Sequence, residues 1–320
     1  MKKATILFIL LGIVVNYASA QATYATGTVK DDAGNPVTYA FIRNMGTTSA
    51  TFSDSLGNFK LLIQPNTTLE FLAKGYAGIL INAANAGNVV LKRTSAAGDA
   101  AGKASSESGG QGDKLLNQNF QMGTSAIFVK PKGDTRGSQY LLDNWAHGFI
   151  IDSKDSVLQN PDYLYNYDKI NGVMVFTQDK SSAMELNKST VNSFVLFSND
   201  GKTAAFEKAP NVDANNYVQV LAMGKKYKIY KSINTQFVKS NYQTNGLSSS
   251  GNNYDEYVDD YTYYIFNVQT NSLQKISLKK KAIKAAFVKD ADKVNKFIDD
   301  HSSDDIGDNY LINLGDYMNE

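Results

Sequence analysis

Gly27 to Tyr76 decides the fold. It reads Gly27-Thr28-Val29, Asp32-Ala33-Gly34-Asn35-Pro36-Val37, Ala40-Phe41-Ile42, Ser53-Asp54-Ser55-Leu56-Gly57-Asn58-Phe59 and Lys74-Gly75-Tyr76. Short β-prone runs are broken at close spacing by Gly, Asp, Asn and Pro, the pattern of a small β-sandwich. Thr23 to Lys30 reads as the first strand, and Gly34 in the turn after it takes positive φ at little steric cost. Pro36 sits just outside the second strand, Val37 to Arg43, where a missing N–H does no harm. Thr47 to Phe52, Phe59 to Ile63, Thr68 to Ala73, Ala77 to Ile81 and Asn88 to Lys92 complete the set. None of the turns holds a nucleophile, a base or a metal cluster.

The Gly-x-Val, Gly-x-Pro and Ala opening, followed by Ser-Asp-x-x-Gly-x-Phe, resembles the carboxypeptidase-like regulatory domain. The resemblance covers residues 21–94, about a quarter of the chain. It implies a Greek-key, transthyretin-like sandwich of the kind found at the start of exported proteins and of outer-membrane TonB-dependent receptors. In that family the domain is an accessory or interaction module and is not catalytic, so the role implied for Asp54, Gly57 and Phe59 is structural. Asp32 and Asp54 also invite a calcium reading. Asp31 to Asn35, however, lacks the alternate-residue oxygens and terminal Glu of an EF-hand loop, and turn chemistry is preferred.

Residues 1–20 read as a signal peptide. Lys2 and Lys3 precede an apolar run, Ile6 to Val15, and Ala18-Ser19-Ala20 is a small-residue cleavage site, which places the mature start at Gln21. The apolar run is too short to span a bilayer, and no later run reaches the roughly 18 residues required, so no transmembrane segment is expected in the mature chain. The chain has no cysteine, which removes disulfides, thiol nucleophiles and a lipoprotein anchor. Charge is balanced, 32 Lys and Arg against 31 Asp and Glu, and that gives no general attraction to nucleic acid. The expected location is periplasmic or extracellular, with outer-membrane association as a variant.

Ser95 to Asp113 has no aromatic and no β-branched residue and cannot bury enough apolar surface to offset its ordering entropy. A flexible linker over 95–118 is expected, long enough that the halves should not share a core. Residues 119–320 then read as an α+β domain with an antiparallel sheet and two C-terminal helices, making the protein mainly β. Candidate strands are Ala126–Lys130, Gln139–Leu142, Gly148–Asp152, Gly172–Gln178, Val191–Ser198, Thr203–Glu207, Tyr217–Ala222, Lys226–Lys231, Tyr261–Gln269 and Leu273–Leu278. Asp200-Gly201 is a hairpin signal. Phe287, Ala291, Val294 and Ile298 line one helical face, and Ile306, Tyr310, Leu314 and Tyr317 another.

Candidate ligand residues are Trp145, Tyr254, Tyr257 and Tyr261. Asn253 to Tyr261 interleaves acids with tyrosines, giving rings for stacking and carboxylates for hydroxyls, although an acidic loop leading into a Tyr-rich strand is the preferred reading. Trp145, the only Trp, also fits a core or domain-edge anchor. Asp143 and His147 lack a serine in a Gly-x-Ser-x-Gly elbow, and Lys279 to Lys281 with Lys284 read as a solvated face. No catalytic set, metal cluster or cofactor loop is identified, so none of the three is expected. Gly137 to Leu141 with Trp145 and Gly148, Tyr165 to Asp168, and Tyr263-Tyr264 with Leu278 to Lys281 resemble exported proteins without known activity. The expected function is a cell-envelope binding or accessory protein whose partner is an envelope protein or a glycan, with no nucleic acid. A carboxylate-dependent hydrolase acting on glycans or peptides and a structural surface component are the alternatives.

Overall fold

A computed structural model of the chain describes residues 23–64, 66–94, 125–126, 135–198 and 202–320. The expected signal peptide and linker lie outside the described residues, as do most of the Ala126–Lys130 strand and the turn at Asp200-Gly201.

The N-terminal unit consists of β1 (Thr23–Asp31), β2 (Phe41–Asn44), β3 (Ala50–Phe52), β4 (Asn58–Ile63), β5 (Thr68–Leu72), β6 (Ile79–Asn82) and β7 (Asn88–Leu91). They form two facing sheets of order β4-β1-β7 and β3-β2-β5-β6. Period-2 patterning drives the packing: in β4, Phe59 and Leu61 are buried while Asn58 and Lys60 face solvent. Phe59 meets Phe71 edge-on at 5.4 Å between centroids within a core that includes Val29, Ile42, Leu69 and Leu91. The turns are held by aspartates: Asp54 Oδ1 accepts the N–H groups of Leu56 and Asn58, each at 2.8 Å. Gly57 has φ +79°, and a Cβ there would lie 2.4 Å from the Val29 carbonyl oxygen, so only glycine fits.

The larger unit contains β8 (Ser125–Ala126), β9 (His147–Asp152), β10 (Val157–Leu158), β11 (Leu164–Asp168), β12 (Val173–Thr177), β13 (Ala183–Glu185), β14 (Val191–Phe197), β15 (Thr203–Lys208), β16 (Tyr217–Met223), β17 (Tyr227–Val238), β18 (Gln243–Thr244), β19 (Ser249–Ser250), β20 (Glu256–Asn267) and β21 (Ser272–Ile276). Three helices follow: α1 (Lys280–Ala286), α2 (Ala291–Asp300) and α3 (Asp308–Asn319). An eight-stranded antiparallel sheet runs β10-β9-β14-β15-β16-β17-β20-β21, and a four-stranded sheet runs β11-β12-β13-β8.

Register shows how the large sheet is covered. Ile150, Phe194, Phe206, Gln219, Lys231, Tyr263 and Ile276 are successive cross-strand partners and so share one face. At the β9 end of that face, the four-stranded sheet packs Tyr165, Tyr167 and Phe176 against Phe194 and Phe206. At the β21 end, the helices pack Phe287, Val294, Leu311 and Leu314 against Tyr227, Ile229 and Ile265. Gly315 lets α3 approach closely, since a Cβ there would sit 2.1 Å from the Ala222 Cβ. On the opposite face, Phe149 and Val157 pack with Phe41 and Phe52 of the N-terminal sandwich. Each half keeps its own main core, but a smaller aromatic cluster joins them, which the expectation of separate cores did not foresee. Strand β2 is buried on both sides, with Ile42 in the sandwich core and Phe41 in the junction, which explains why two large apolar residues stand side by side in it.

Other differences have local causes. Gln139–Leu142 is not a strand; only Tyr140 makes a bridge, to Asp168. Strand β11 went unread because its sequence, Leu-Tyr-Asn-Tyr-Asp, has no apolar run; its buried Asn166 is satisfied by the Leu142 N–H at 3.1 Å and carbonyl at 2.7 Å. Strand β17 runs on to Val238, and the acids read as a loop lie largely inside β20. A third helix, α1, contains Lys280, Lys281 and Lys284 of the basic run and buries Ile283. Among the described residues, no helix is long and apolar enough to cross a membrane.

Candidate functional site

Strands β17 and β20 pair over twelve residues, from Tyr227↔Asn267 to Val238↔Glu256. Alternation puts Tyr257, Asp259, Tyr261 and Tyr263 of β20 on one face, opposite Phe237, Thr235, Ile233 and Lys231 of β17. This face is a strip that leads from the free end of the hairpin to the helical cap. Phe237 is 43% exposed and Tyr261 45% exposed, so rings remain open to solvent.

Each tyrosine is fixed by a neighbour. The Arg136 guanidinium lies 3.6 Å from the centre of the Tyr254 ring, and the Arg136 backbone pairs with Asp255 and Tyr257. The Tyr257 ring packs on Phe237 at 4.9 Å, and its hydroxyl donates to Gln139 Oε1 at 3.2 Å. The Tyr261 hydroxyl donates to Asp259 Oδ2 at 3.0 Å, while Lys231 Nζ sits 4.0 Å from its ring centre.

Asp259 is the hub. Lys169 Nζ donates to both its oxygens at 2.8 and 2.7 Å, and Thr235 Oγ1 donates at 2.6 Å. Burial opposes its charge, but the Lys169 and Thr235 bonds prevail and hold its carboxyl below the usual range. Burial, and then the bond to Asp259, push the Tyr261 phenol up to about 12. With four hydrogen bonds from three groups on its two oxygens, this carboxylate has little acceptor capacity left and is poorly suited to act as a proton donor. Next along the strip, Lys231 Nζ donates to Asp308 Oδ2 at 2.6 Å and the Tyr263 hydroxyl to Oδ1 at 2.9 Å. Asp308 lies in the first turn of α3, where the helix dipole favours a negative charge.

Tyr257 and Tyr261 thus share the strip, and Tyr254 lies at its outer end. Trp145 does not join them. It precedes β9, and β9 and β20 are separated by four strands, about 24 Å along the sheet. The junction between the two units holds a second concavity, near Trp145, that the sequence reading did not anticipate. It is a cleft of about 180 Å³ lined in part by Tyr39, Lys74, Tyr76, His147 and Gln159. The Tyr39 and His147 rings stack at 4.4 Å and 20°. Burial, and then Lys180 and Lys74, lower the His147 pKa and favour the neutral imidazole. Only its position beside Trp145 singled out His147 in the sequence; Tyr39 and Gln159 carried no signal. Among the described residues, no group of three or more His, Asp or Glu side chains is placed to hold a metal ion.

Comparison with protein-family models and with curated proteins gives no match for this chain.

Proposed function

We propose that the protein is an exported cell-envelope binding or accessory protein whose partner surface is the tyrosine strip of β17 and β20. The observation that carries this reading is the pairing of open rings, Phe237 and Tyr261, with a fixed charge network around Asp259. Rings that are already held lose little freedom on binding, and a rigid supporting shell is what a recognition surface requires. Tyr257 and Tyr261 are four residues apart on one strand, about 13 Å, a span suited to an extended glycan or peptide. Export rests on the signal pattern of residues 1–20, and the accessory role on the resemblance of residues 21–94 to the carboxypeptidase-like regulatory domain. In this reading the sandwich is a fixed layer of the binding scaffold.

The test is fractionation of cells expressing the full chain, followed by cross-linked capture from envelope extract. The expected results are a mature N-terminus at Gln21 in the envelope fraction and one specific protein or glycan partner. That partner should be lost in a Phe237→Ser, Tyr261→Ser double variant. Retention in the cytoplasm with residues 1–20 intact, or unchanged capture by the variant, would overturn the proposal.

A further inference from the structure

Strand β20 leaves part of one edge open. The Val268 N–H donates to the Lys226 carbonyl at 2.8 Å, so alternation along the β17–β20 ladder turns the backbone groups of Tyr257, Asp259, Tyr261 and Tyr263 away from β17. On this edge the Tyr257 N–H donates to the Arg136 carbonyl at 2.9 Å, and Tyr263 pairs with Ile276 of β21. Between them, the N–H and C=O of Asp259 and Tyr261 have no partner among the described residues. The stretch is open to water: Val258 is 43% exposed, and Asp260 and Tyr261 are exposed as well. Strand edges are usually guarded by a proline, a bulge or a covering segment, whereas this one has an unbroken register and no proline.

Two donors and two acceptors at the two-residue repeat of a strand match the backbone of an extended peptide; a sugar does not carry that alternation. Tyr257 and Tyr263 are six residues apart, about 20 Å, which leaves room for a strand of about five residues. The side chains of such a strand fall on two faces. On one they meet Tyr257 and Tyr261 of the strip. On the other they meet Glu256, Val258 and Asp260, and neither acid joins an ion pair among the described residues. That face calls for cations. The acids also disfavour a second copy of the chain, because the two-fold pairing that uses all four backbone groups sets Asp260 opposite its own counterpart.

We infer that the open edge of β20 takes an extended peptide as an added strand, one that alternates apolar residues with Lys or Arg. This rests on the reading of β17 and β20 as the partner surface and names the class of partner. Backbone pairing supplies the affinity, the strip receives the apolar side chains, and Glu256 and Asp260 select the basic ones.

The experiment is hydrogen exchange, read by NMR on the isotope-labelled mature protein at low ionic strength, with the end-blocked pentapeptide Lys-Val-Lys-Val-Lys and its counterpart Glu-Val-Glu-Val-Glu. A Kd of order 1 mM is expected, so at about 10 mM basic peptide the Asp259 and Tyr261 amides should exchange about tenfold more slowly. Val258 and Asp260, whose N–H groups already bond β17, are the internal reference. The acidic peptide should bind at least about tenfold more weakly, and Asp260→Lys should weaken the basic peptide about tenfold. Unslowed exchange of both amides at about 10 mM basic peptide would overturn the inference, and so would equal binding of the acidic peptide or unchanged binding by a folded D260K protein. Protection that rises with protein concentration in the absence of peptide would also overturn it, by giving the edge to a second copy. If D260K does not fold, the comparison of the two peptides on the wild-type chain decides alone. Envelope capture that is lost in the Phe237→Ser, Tyr261→Ser variant, together with unprotected amides, would keep the strip as a partner surface and reject strand addition, so the two readings can fail separately.

Discussion

Two kinds of cover meet the eight-stranded sheet, and they are held by different means. The N-terminal sandwich is attached through rings: Phe41 lies 5.3 Å from Phe52 and 5.7 Å from Phe149, and Phe52 lies 4.7 Å from Phe197. On the other face, the small sheet and the helices leave between them a row of charges, Lys169 with Asp259 and Lys231 with Asp308. The first junction gains mainly from removing apolar area from water, with one directional bond added by the Arg43 guanidinium, paired with Glu70, to the Val157 carbonyl at 3.0 Å. The second must satisfy every donor and acceptor, because charges taken out of water are costly unless paired. Its return is directional: it fixes Tyr261 and Tyr263 in place, which apolar contact would do less sharply.

The sharpest way to break this comparison is at Phe41. Phe41→Ala should cost about 3–5 kcal/mol of stability, measured by urea unfolding. A cycle with Phe149→Ala should show coupling of at least about 0.5 kcal/mol across the junction. Independent, additive effects would mean that the two units are energetically separate. The next effect lies in the charged row. Lys231→Met leaves Asp308 with only its Tyr263 bond and should cost about 1–3 kcal/mol, since the Lys231 side chain is 11% exposed and Asp308 35%. An unchanged urea midpoint would reduce this pair to surface decoration.

A smaller effect comes from the single imidazole in the apolar junction. The folded pKa of His147 is lowered from 6.5, so the unfolded chain takes up its proton first as pH falls. Its contribution to stability is therefore complete above pH 6.5 and is lost as pH drops below that value. Thermal melts across this range should show the loss, and His147→Phe should abolish it. A pH dependence retained by the variant would place the titrating group elsewhere. Smallest of all, Leu247→Ser at the far end of the long hairpin should change stability by less than about 0.5 kcal/mol, because Leu247 is 99% exposed and supports neither junction. A larger loss by urea unfolding would show that the hairpin end has a structural role.

The parts of the fold that were legible in the sequence were those set by local rules. Alternation in Asn58–Ile63 and the turn residues Asp54 and Gly57 specify the sandwich strands, and the spacing of Val294 and Ile298 specifies a buried helical face. What could not be read depended on partners far along the chain. Phe41 and Phe52 look like ordinary strand residues until Phe149 and Phe197 supply the other half of the contact. Asn166 and Asp168 make β11 look like a loop, and only their hydrogen bonds to the 139–142 segment and the following turn explain how they are buried. Tyr257 and Tyr261 were readable as a pair because a period of two fixes their common face, whereas Trp145 was not readable as remote from them because strand order is not a local property. The cleft was least accessible, since it forms only where residues of the two units, among them Tyr39, His147 and Gln159, come together.

The double burial of β2 also has a consequence in time. Translation makes the N-terminal sandwich first, and its outer sheet carries Phe41 and Phe52 with nothing yet to cover them. Phe149 follows Phe52 by about a hundred residues, which takes about 5–20 s at ordinary elongation rates. For that interval the chain carries an adhesive aromatic patch on an otherwise finished sandwich. Whatever accompanies the nascent chain has to shield those two rings until the large sheet arrives.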